Sequence, residues 1–549
     1  MNTRPNILHI FTDMQRWDTI RALGNPVIRT PNLDRLAREG AAFTNAFTAS
    51  PVCIAARAAM IYGQYPYNTG CYENTIMPTD GRTSFMGALT EAGYRTHGVG
   101  KCHFTPERYA LRGFQSREVQ EEGGVRGQDL ERNQYLTYLR DKGYDHVVEA
   151  YGTRSEMYYM PQIAQVPAAD HPSQWIGDRA VSFIRRQDDA APAAPPAPDA
   201  DGEAISGPAA PDQPWYLFAS FIHPHPPFNP PTPWHKLYRS AGMPLPKVPQ
   251  DHESLLTLIN RVQNRYKYRD QGVDLHVART MIAYYYACIS FVDYQVGRML
   301  EALESTGQLG NTLVVFASDH GELLGDYESY GKRSMHDASA RVPLLARLPG
   351  RFEGGRVVDQ AVSLVDLAPT FLTAGEAEIG SHELDGVDLA DVAEGSCDRE
   401  FVFSQLSIDR TKFHRSLTVD TDTSGREYTD EEWRARYSSY MAVSSEAKYV
   451  YSAPDNREFF FDRAGDSGET RNRAGVAFCA EEKQRAKSAL LDELIENGET
   501  AGIERRRNGE VPRWREFPHI VVNPDPDFGL LVQDGYTPWA EVEIPGYTD

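Results

Sequence analysis

A doubly wound α/β fold, accompanied by a smaller antiparallel sheet with one helix, is the architecture this 549-residue sequence predicts. Three observations carry that reading. Short, continuously apolar runs at 6–11, 215–220 and 312–317 have the composition of strands covered on both faces, as in a parallel sheet. Stretches of helical periodicity, rather than tight hairpin turns, separate them. Beyond about residue 400 the texture changes to closely spaced strand pairs followed by one helical stretch.

Taken in order, the first strand (6–11) runs into Thr12-Asp13-Met14-Gln15. Polar residues just past the carboxyl end of such a strand are where an open α/β sheet places its ligands. Thr30-Pro31 opens a helix reaching to about residue 37, with proline in its first turn. Ser50-Pro51-Val52-Cys53 precedes an alanine-rich stretch to residue 62, which favours a helix beginning close to Cys53. A second unit follows, helix 84–92 and strand 94–100. Residues 188–214 are almost entirely Ala, Pro, Asp and Gly, a composition that buries too little apolar surface to fold, so an exposed insertion loop is expected. A long helix at 280–303 feeds the strand at 312–317, which ends in Ser318-Asp319-His320-Gly321-Glu322. Strands at 401–404, 440–443 and 449–451 and a helix at 482–497 make up the smaller sheet. The expected division is an α/β unit over 1–390, an α+β unit over 391–506 and an extended tail over 507–549. Trp514, Phe517 and Trp539 make that tail a candidate arm of a homodimer or higher homo-oligomer, with packing on its own body the equal alternative.

Composition narrows the function. The chain carries 56 Lys plus Arg against 77 Asp plus Glu, a formal charge of −21, without the clustered basic residues that a nucleic-acid binder needs. No apolar run approaches the roughly 18 residues that span a bilayer, and residues 1–6 lack the apolar core of a secretory leader. Six cysteines show neither a compact disulfide framework nor zinc spacing. A cytoplasmic protein acting on a small molecule, with no nucleic-acid or membrane partner, is expected.

Five clusters carry chemistry. Asp13 and Asp319-His320 end two buried strands; two carboxylates and an imidazole suit a hard or borderline divalent cation, while capping is the plain alternative. Arg57 lies one helical turn after Cys53, so a thiolate nucleophile and a buried structural cysteine are both open. Lys101-Cys102-His103 follows a strand, and so does His223-Pro224-His225-Pro226-Pro227-Phe228, whose prolines would aim one acid–base histidine. Lys332, in Gly331-Lys332-Arg333-Ser334-Met335-His336, would neutralise an oxyanion near Asp319, though a solvated lysine is the default.

Longer blocks share one order along about 5–475. They are Pro5-Asn6-Ile7-Leu8-His9-Ile10-Phe11-Thr12-Asp13, Thr30-Pro31-Asn32-Leu33-Asp34, Cys53-Ile54-Ala55-Ala56-Arg57, Gly63-Gln64-Tyr65-Pro66, Gly100-Lys101-Cys102-His103-Phe104, Pro224-His225-Pro226-Pro227-Phe228, Ser318-Asp319-His320-Gly321-Glu322, Gly331-Lys332, and the closing Glu458-Phe459-Phe460-Phe461-Asp462 with Glu469-Thr470-Arg471-Asn472. In that order the chain resembles the type I, formylglycine-dependent sulfatases of the alkaline phosphatase superfamily, a group that includes arylsulfatases and phosphonate monoester hydrolases. The resemblance implies an alkaline phosphatase-like mixed sheet flanked by helices. It implies a sulfuric ester hydrolase acting on aryl or small alkyl sulfates and promiscuous toward phosphate and phosphonate esters. The alternative is a phosphonate monoester or phosphodiester hydrolase with the same nucleophile and weak sulfatase activity.

By the same resemblance, a formylglycine-generating maturase oxidises Cys53, and the hydrated aldehyde is the nucleophile. Asp13, Asp319, His320 and residue 53 would hold one divalent ion, Ca2+ or Mn2+. Met14 stands where the family commonly has a second Asp or a Gln; a thioether is a poor ligand for a hard cation, which makes Gln15 a further candidate. Arg57, Lys101 and Lys332 would hold the oxyanion, His225 would donate a proton near the leaving group, His103 would assist release, and Asn74 would hydrogen-bond the substrate. Ala55-Ala56 departs from the Pro and small residue usual in the formylglycine motif.

Overall fold

The computed structural model describes residues 4–122, 132–147, 149–153, 158–185, 213–268, 274–408, 418–420, 425–504 and 511–523. Its centre is an eight-stranded sheet built from β1 (Asn6–Asp13), β2 (Ala41–Phe43), β3 (Arg95–Gly100), β4 (Ser116–Val119), β5 (Trp215–Pro224), β6 (Thr312–Ser318), β7 (Leu344–Arg347) and β8 (Arg356–Val358). The spatial order is β8-β2-β7-β6-β1-β5-β3-β4. β1 pairs parallel with both β5 and β6, β3 pairs parallel with β5 and β4, and β7 runs antiparallel to its neighbours β6 and β2. The sheet is therefore mixed, with its parallel strands at the centre.

Alternation along β1 shows how the sheet is covered. Ile7 and Phe11 face a core shared with α2 (Cys53–Tyr62), α3 (Phe85–Glu91) and α6 (Leu367–Gly375); Leu8 and Ile10 face one shared with α1 (Pro31–Glu39), α4 (Pro172–Ile184) and α5 (Leu275–Ser305). Both faces are dry, which is why these strands read as continuous apolar runs rather than as alternating ones. Helix ends follow their local chemistry. Pro31 occupies the first position of α1, and Asp274 accepts hydrogen bonds from His276 N and Val277 N, so α5 begins several residues before the expected 280. β5 likewise continues past the expected end at 220, through Phe221-Ile222, to Pro224, whose ring nitrogen offers no donor to prolong a ladder.

The smaller sheet has the order β9 (Val402–Ser407), β10 (Ser438–Val443), β11 (Ala447–Ser452), β12 (Arg457–Asp462), antiparallel throughout. One face packs Tyr440, Tyr449 and Phe460 against Leu490, Leu491 and Leu494 of α7 (Ala480–Glu496); the other turns Met441, Val450 and Phe461 into the main core. The described start of the tail lies on its own body: Trp514 stacks on Tyr451 at 4.2 Å, its Nε1 donates to Tyr449 Oη at 2.7 Å, and Phe517 N donates to Asn456 Oδ1 at 2.9 Å. Trp539 and all of the expected insertion except 213–214 lie outside the described residues. Among the described residues no helix is long and apolar enough to cross a membrane, and none of the six cysteines is in a disulfide.

One backbone position decides how close β3 and β5 come at their carboxyl ends. Gly100 has φ +95°, and a Cβ there would meet Ser220 O at 2.0 Å. The approach lets Lys101 N donate to Ser220 O at 3.0 Å and turns the next side chain into the sheet's edge. Gly100→Ala is expected to lower the unfolding free energy by about 3 kcal/mol or more, since it adds both a steric clash and a left-handed strain. Urea denaturation of the two proteins measures this, and equal midpoints would sink the close-approach argument.

Candidate active site

The carboxyl edge of the sheet gathers polar strand ends. Four adjacent strands deliver Asp319 and His320 (after β6), Asp13 (β1), His225 (after β5) and Lys101 (after β3). The chain leaves β1 through Met14 at φ 64° and is tied down by its backbone. Met14 N donates to Asp319 Oδ1 at 3.1 Å, Gln15 N donates to Ser318 Oγ at 2.9 Å, and Tyr285 Oη of α5 donates to Met14 O at 2.7 Å. Gln15 is buried; its amide nitrogen donates to Thr19 Oγ1, and its amide oxygen has no hydrogen-bond partner among the described residues.

α2 approaches with Cys53 as its first residue. Asn74 Oδ1 accepts from Ile54 N at 2.9 Å, satisfying one of the free N–H groups of the first turn, so Asn74 fixes the helix that presents Cys53. One turn later Arg57 returns to the same face, as the spacing requires. Its Nε lies 3.0 Å from Asp319 Oδ2 and its Nη2 3.3 Å from Asp13 Oδ2, while Nη1 donates to Lys101 O at 2.7 Å and Ser220 Oγ at 3.1 Å. A single guanidinium thus ties together four adjacent strands. Lys101 Nζ lies 2.5 Å from Asp13 Oδ2 and 2.8 Å from Glu122 Oε2. Lys332 Nζ donates to Cys53 Sγ at 2.5 Å, and His320 Nε2 lies 3.2 Å from that sulfur. His320 Nδ1 is 3.0 Å from Gly321 O; a carbonyl only accepts, so Nδ1 carries the proton and Nε2 presents a lone pair to the cluster. His103, at φ 57°, donates its backbone N–H to Glu121 at 3.0 Å, and its Nδ1 has no hydrogen-bond partner among the described residues.

Burial and charge work against each other here. Burial alone would raise the Asp13 carboxyl, but the Lys101, Lys332 and Arg57 cations hold it well below the usual carboxylate range. Burial and the Asp13 carboxylate beside it push Asp319 up instead. Burial pushes the Cys53 thiol up to about 12, with Asp13 adding to the shift and Lys332 and Lys101 opposing it. The thiolate that the helix start and Arg57 suggest in the sequence is therefore disfavoured at neutral pH. Burial also lowers His320, His103 and His225, the last to about 3. All three imidazoles are neutral, the form that can coordinate or accept.

The loop carrying Lys332 is braced from several sides. Glu322 accepts from Gly331 N, Arg333 N donates to Pro51 O at 3.0 Å, and Asp337 N donates to Glu469 Oε2 at 2.7 Å. The buried Lys448 Nζ of β11 joins Asp337 and Glu469, 2.5 Å from each. Glu469 belongs to the closing sequence block, so the small sheet acts on the site through this loop.

Asp13, Cys53, Asp319 and His320 each turn one ligand atom into a common space, all within 4.8 Å of one another and all buried. Two carboxylates, an imidazole lone pair and an atom at position 53 fit one hard or borderline divalent ion. Calorimetric titration with Mn2+ or Ca2+ is expected to give one ion per chain and to lose its signal in Asp319→Asn. At about 100 times Kd the ion should stabilise the fold by about 2.7 kcal/mol. Affinity should fall as pH is lowered into the range where Asp319 takes up a proton, because ion and proton compete for that carboxylate. Two ions per chain, or unchanged binding by the variant, would refute the assignment.

Asp13, Cys53, Arg57, Lys101, Asp319, His320 and Lys332 contact one another directly; His225 meets them through Glu122, Asn74 through the backbone N–H of Ile54, and Gln15 and His103 lie two residues after Asp13 and Lys101. Sequence reasoning missed Glu121 and Glu122. Glu121 accepts from Cys102 N and His103 N, and Glu122 meets Lys101 and His225. A Glu-Glu pair two residues after β4 was the available signal, but consecutive charges ordinarily mark a solvated face.

Comparisons with known proteins agree with this geometry. A family model described as Sulfatase matches residues 5–377. An arylsulfatase of Clostridium perfringens is 27% identical over 533 residues, spanning 91% of this chain and 96% of the relative. The multifunctional alkaline phosphatase superfamily protein PehA of Trinickia caryophylli is 28% identical over 537 residues, spanning 89% and 95%. The crystal structure of the phosphonate monoester hydrolase of Agrobacterium radiobacter superposes with a TM-score of 0.71 at 23% identity, over 93% of this chain and 100% of that one. With a buried Asp13, Cys53, Asp319 and His320 cluster that could hold a metal ion, this chain belongs to the sulfatase family, hydrolases of the alkaline phosphatase superfamily.

Proposed function

We propose that the protein hydrolyses singly charged phosphonate monoesters or phosphodiesters, using position 53 as nucleophile, with aryl or small alkyl sulfates as weaker substrates. The observation that carries the reading is the convergence of Lys332 Nζ and His320 Nε2 on Cys53, beside the two buried carboxylates. Arg57, Lys101 and Lys332 face Asp13, Asp319 and Glu122, so the positive surplus of the site comes from a divalent ion. That balance suits an ester of one negative charge. The phosphonate monoester hydrolase fold matches along that whole chain, and the multifunctional relative matches over nearly its full length. A sulfate ester hydrolase is the second reading, favoured by the arylsulfatase relative.

In this reading Asp13, Asp319, His320 and the atom at position 53 hold Ca2+ or Mn2+, with Gln15 as a further ligand through its unpartnered amide oxygen. When bound, the ion supplies Lewis-acid charge to the nucleophile and the oxyanion. Cys53 Sγ stands in for the oxygens of formylglycine, whose hydrate supplies the attacking hydroxyl; a maturase must make it, because the thiol itself is held protonated. Arg57, Lys101 and Lys332 grip the non-bridging oxygens and offset the charge that grows on them. His225 faces the leaving group, His103 accepts a proton as product departs, and the amide nitrogen of Asn74 contacts substrate.

Peptide mass spectrometry on protein co-expressed with a formylglycine-generating enzyme should show residue 53 losing one sulfur and two hydrogens and gaining one oxygen, a fall of about 18 Da. On that material kcat/KM should be highest for a phosphonate monoester or phosphodiester and lower for an aryl sulfate, and Cys53→Ala should lose at least about a thousandfold. A higher value for the sulfate installs the second reading. A retained thiol mass, or an active Cys53→Ala, overturns the nucleophile.

A further inference from the structure

Glu122 has no place in the reaction as described above, yet it sits among the reacting groups. Its position is firmly set. β4 pairs with β3, Glu121 is buried against the backbone of Cys102 and His103, and Gln120 Nε2 donates to Pro172 O at 3.2 Å. The next side chain, Glu122, is 17% exposed and brings Oε2 to 2.8 Å from Lys101 Nζ and 3.5 Å from His225 Nε2.

The tautomer of His225 makes that contact consequential. His225 Nδ1 lies 2.7 Å from Pro226 O, which can only accept, so the ring proton is on Nδ1. The neutral ring then has a bare lone pair at Nε2 and cannot donate from that atom to a leaving oxygen. A second proton on the ring is opposed by burial and by Lys332 and Lys101, and favoured by Glu122 and Asp13; the ring edge also meets the Tyr158 ring at 6.2 Å. An acid built from His225 alone lacks a source for the proton it must give.

We propose that Glu122 is the proton-supplying partner of His225, so that the two relay one proton from water to the leaving oxygen of poor, alkoxide-like leaving groups. The inference rests on the reading of the site as an ester hydrolase. At rest the ring is neutral and Glu122 is ion-paired with Lys101; during turnover Glu122 takes one proton from water and passes it to His225 Nε2, 3.5 Å from its Oε2. As the bond from phosphorus or sulfur to the leaving oxygen breaks, its electron pair goes to that oxygen, and the proton on Nε2 passes to it. His225 returns to neutral and Glu122 remains a carboxylate. That is the resting state of the pair, ready to draw the next proton from water through the partly exposed Glu122. Glu122 acts through His225 and is a positioning residue rather than one that touches substrate.

The test uses the full-length, formylglycine-bearing enzyme with two esters of one acid, a 4-nitrophenyl ester and an alkyl ester. A 4-nitrophenolate departs without a proton, while an alkoxide needs one. Glu122→Gln should lower kcat/KM for the alkyl ester about 100-fold and for the 4-nitrophenyl ester less than tenfold. Glu122→Asp, which keeps the charge but withdraws the oxygen from Nε2, should show the same split and guards against a folding defect in the first variant, which melting curves of both detect. Equal losses on the two esters would mean that Glu122 serves only to hold Lys101, and no loss on the alkyl ester would mean that His225 draws its proton elsewhere; either result overturns the proposal. Wild-type enzyme that hydrolyses neither ester would instead overturn the reading of the site.

Discussion

The structure depends on two carboxylates, Asp13 and Asp319, held side by side at zero exposure. Like charges placed together in a dry interior are strongly unfavourable unless cations answer them. Arg57 and Lys101 supply that answer directly, Lys332 from beside Cys53, and all three come from different parts of the chain. The site cannot assemble unless β1, β3, β6 and α2 are already in place, so the fold and the charge cluster stabilise each other or fail together.

The same arrangement settles the state of position 53. A cysteine at a helix start beside an arginine and a lysine ordinarily has an acidic thiol. Here burial and the neighbouring Asp13 outweigh those cations, and the thiol stays protonated. The surroundings favour a protonated thiol over a thiolate, which is the physical ground for reading position 53 as something other than a thiolate nucleophile.

The small antiparallel sheet is more than an appendage. Asp337, Lys448 and Glu469 form a buried network that anchors the loop bearing Lys332, and Arg463 reaches Asp337 at 2.7 Å from the end of β12. Removing one member of such a network leaves an uncompensated buried charge, a cost of about 3–5 kcal/mol. That coupling ties the block at 458–472 to the loop bearing Lys332.

The sequence by itself determined the strands, because continuous apolar runs such as 312–317 admit little else, and it determined the polar strand ends, because residues past a buried strand must face an edge. The spacing of Cys53 and Arg57 placed them on one helical face, as found. Ordered motifs named the family and picked out Asp13, Cys53, Asp319 and His320, which the fold brings together. Tertiary structure alone decided the rest. That Asn74 engages the first turn of α2, that Met14 acts through its backbone, and that Glu122 meets Lys101 and His225 depend on long-range contacts that no local pattern encodes. The protonation states belong to the same class. A cysteine, an aspartate or a histidine has no particular acidity until burial and the neighbouring charges are fixed, and both are properties of the assembled fold.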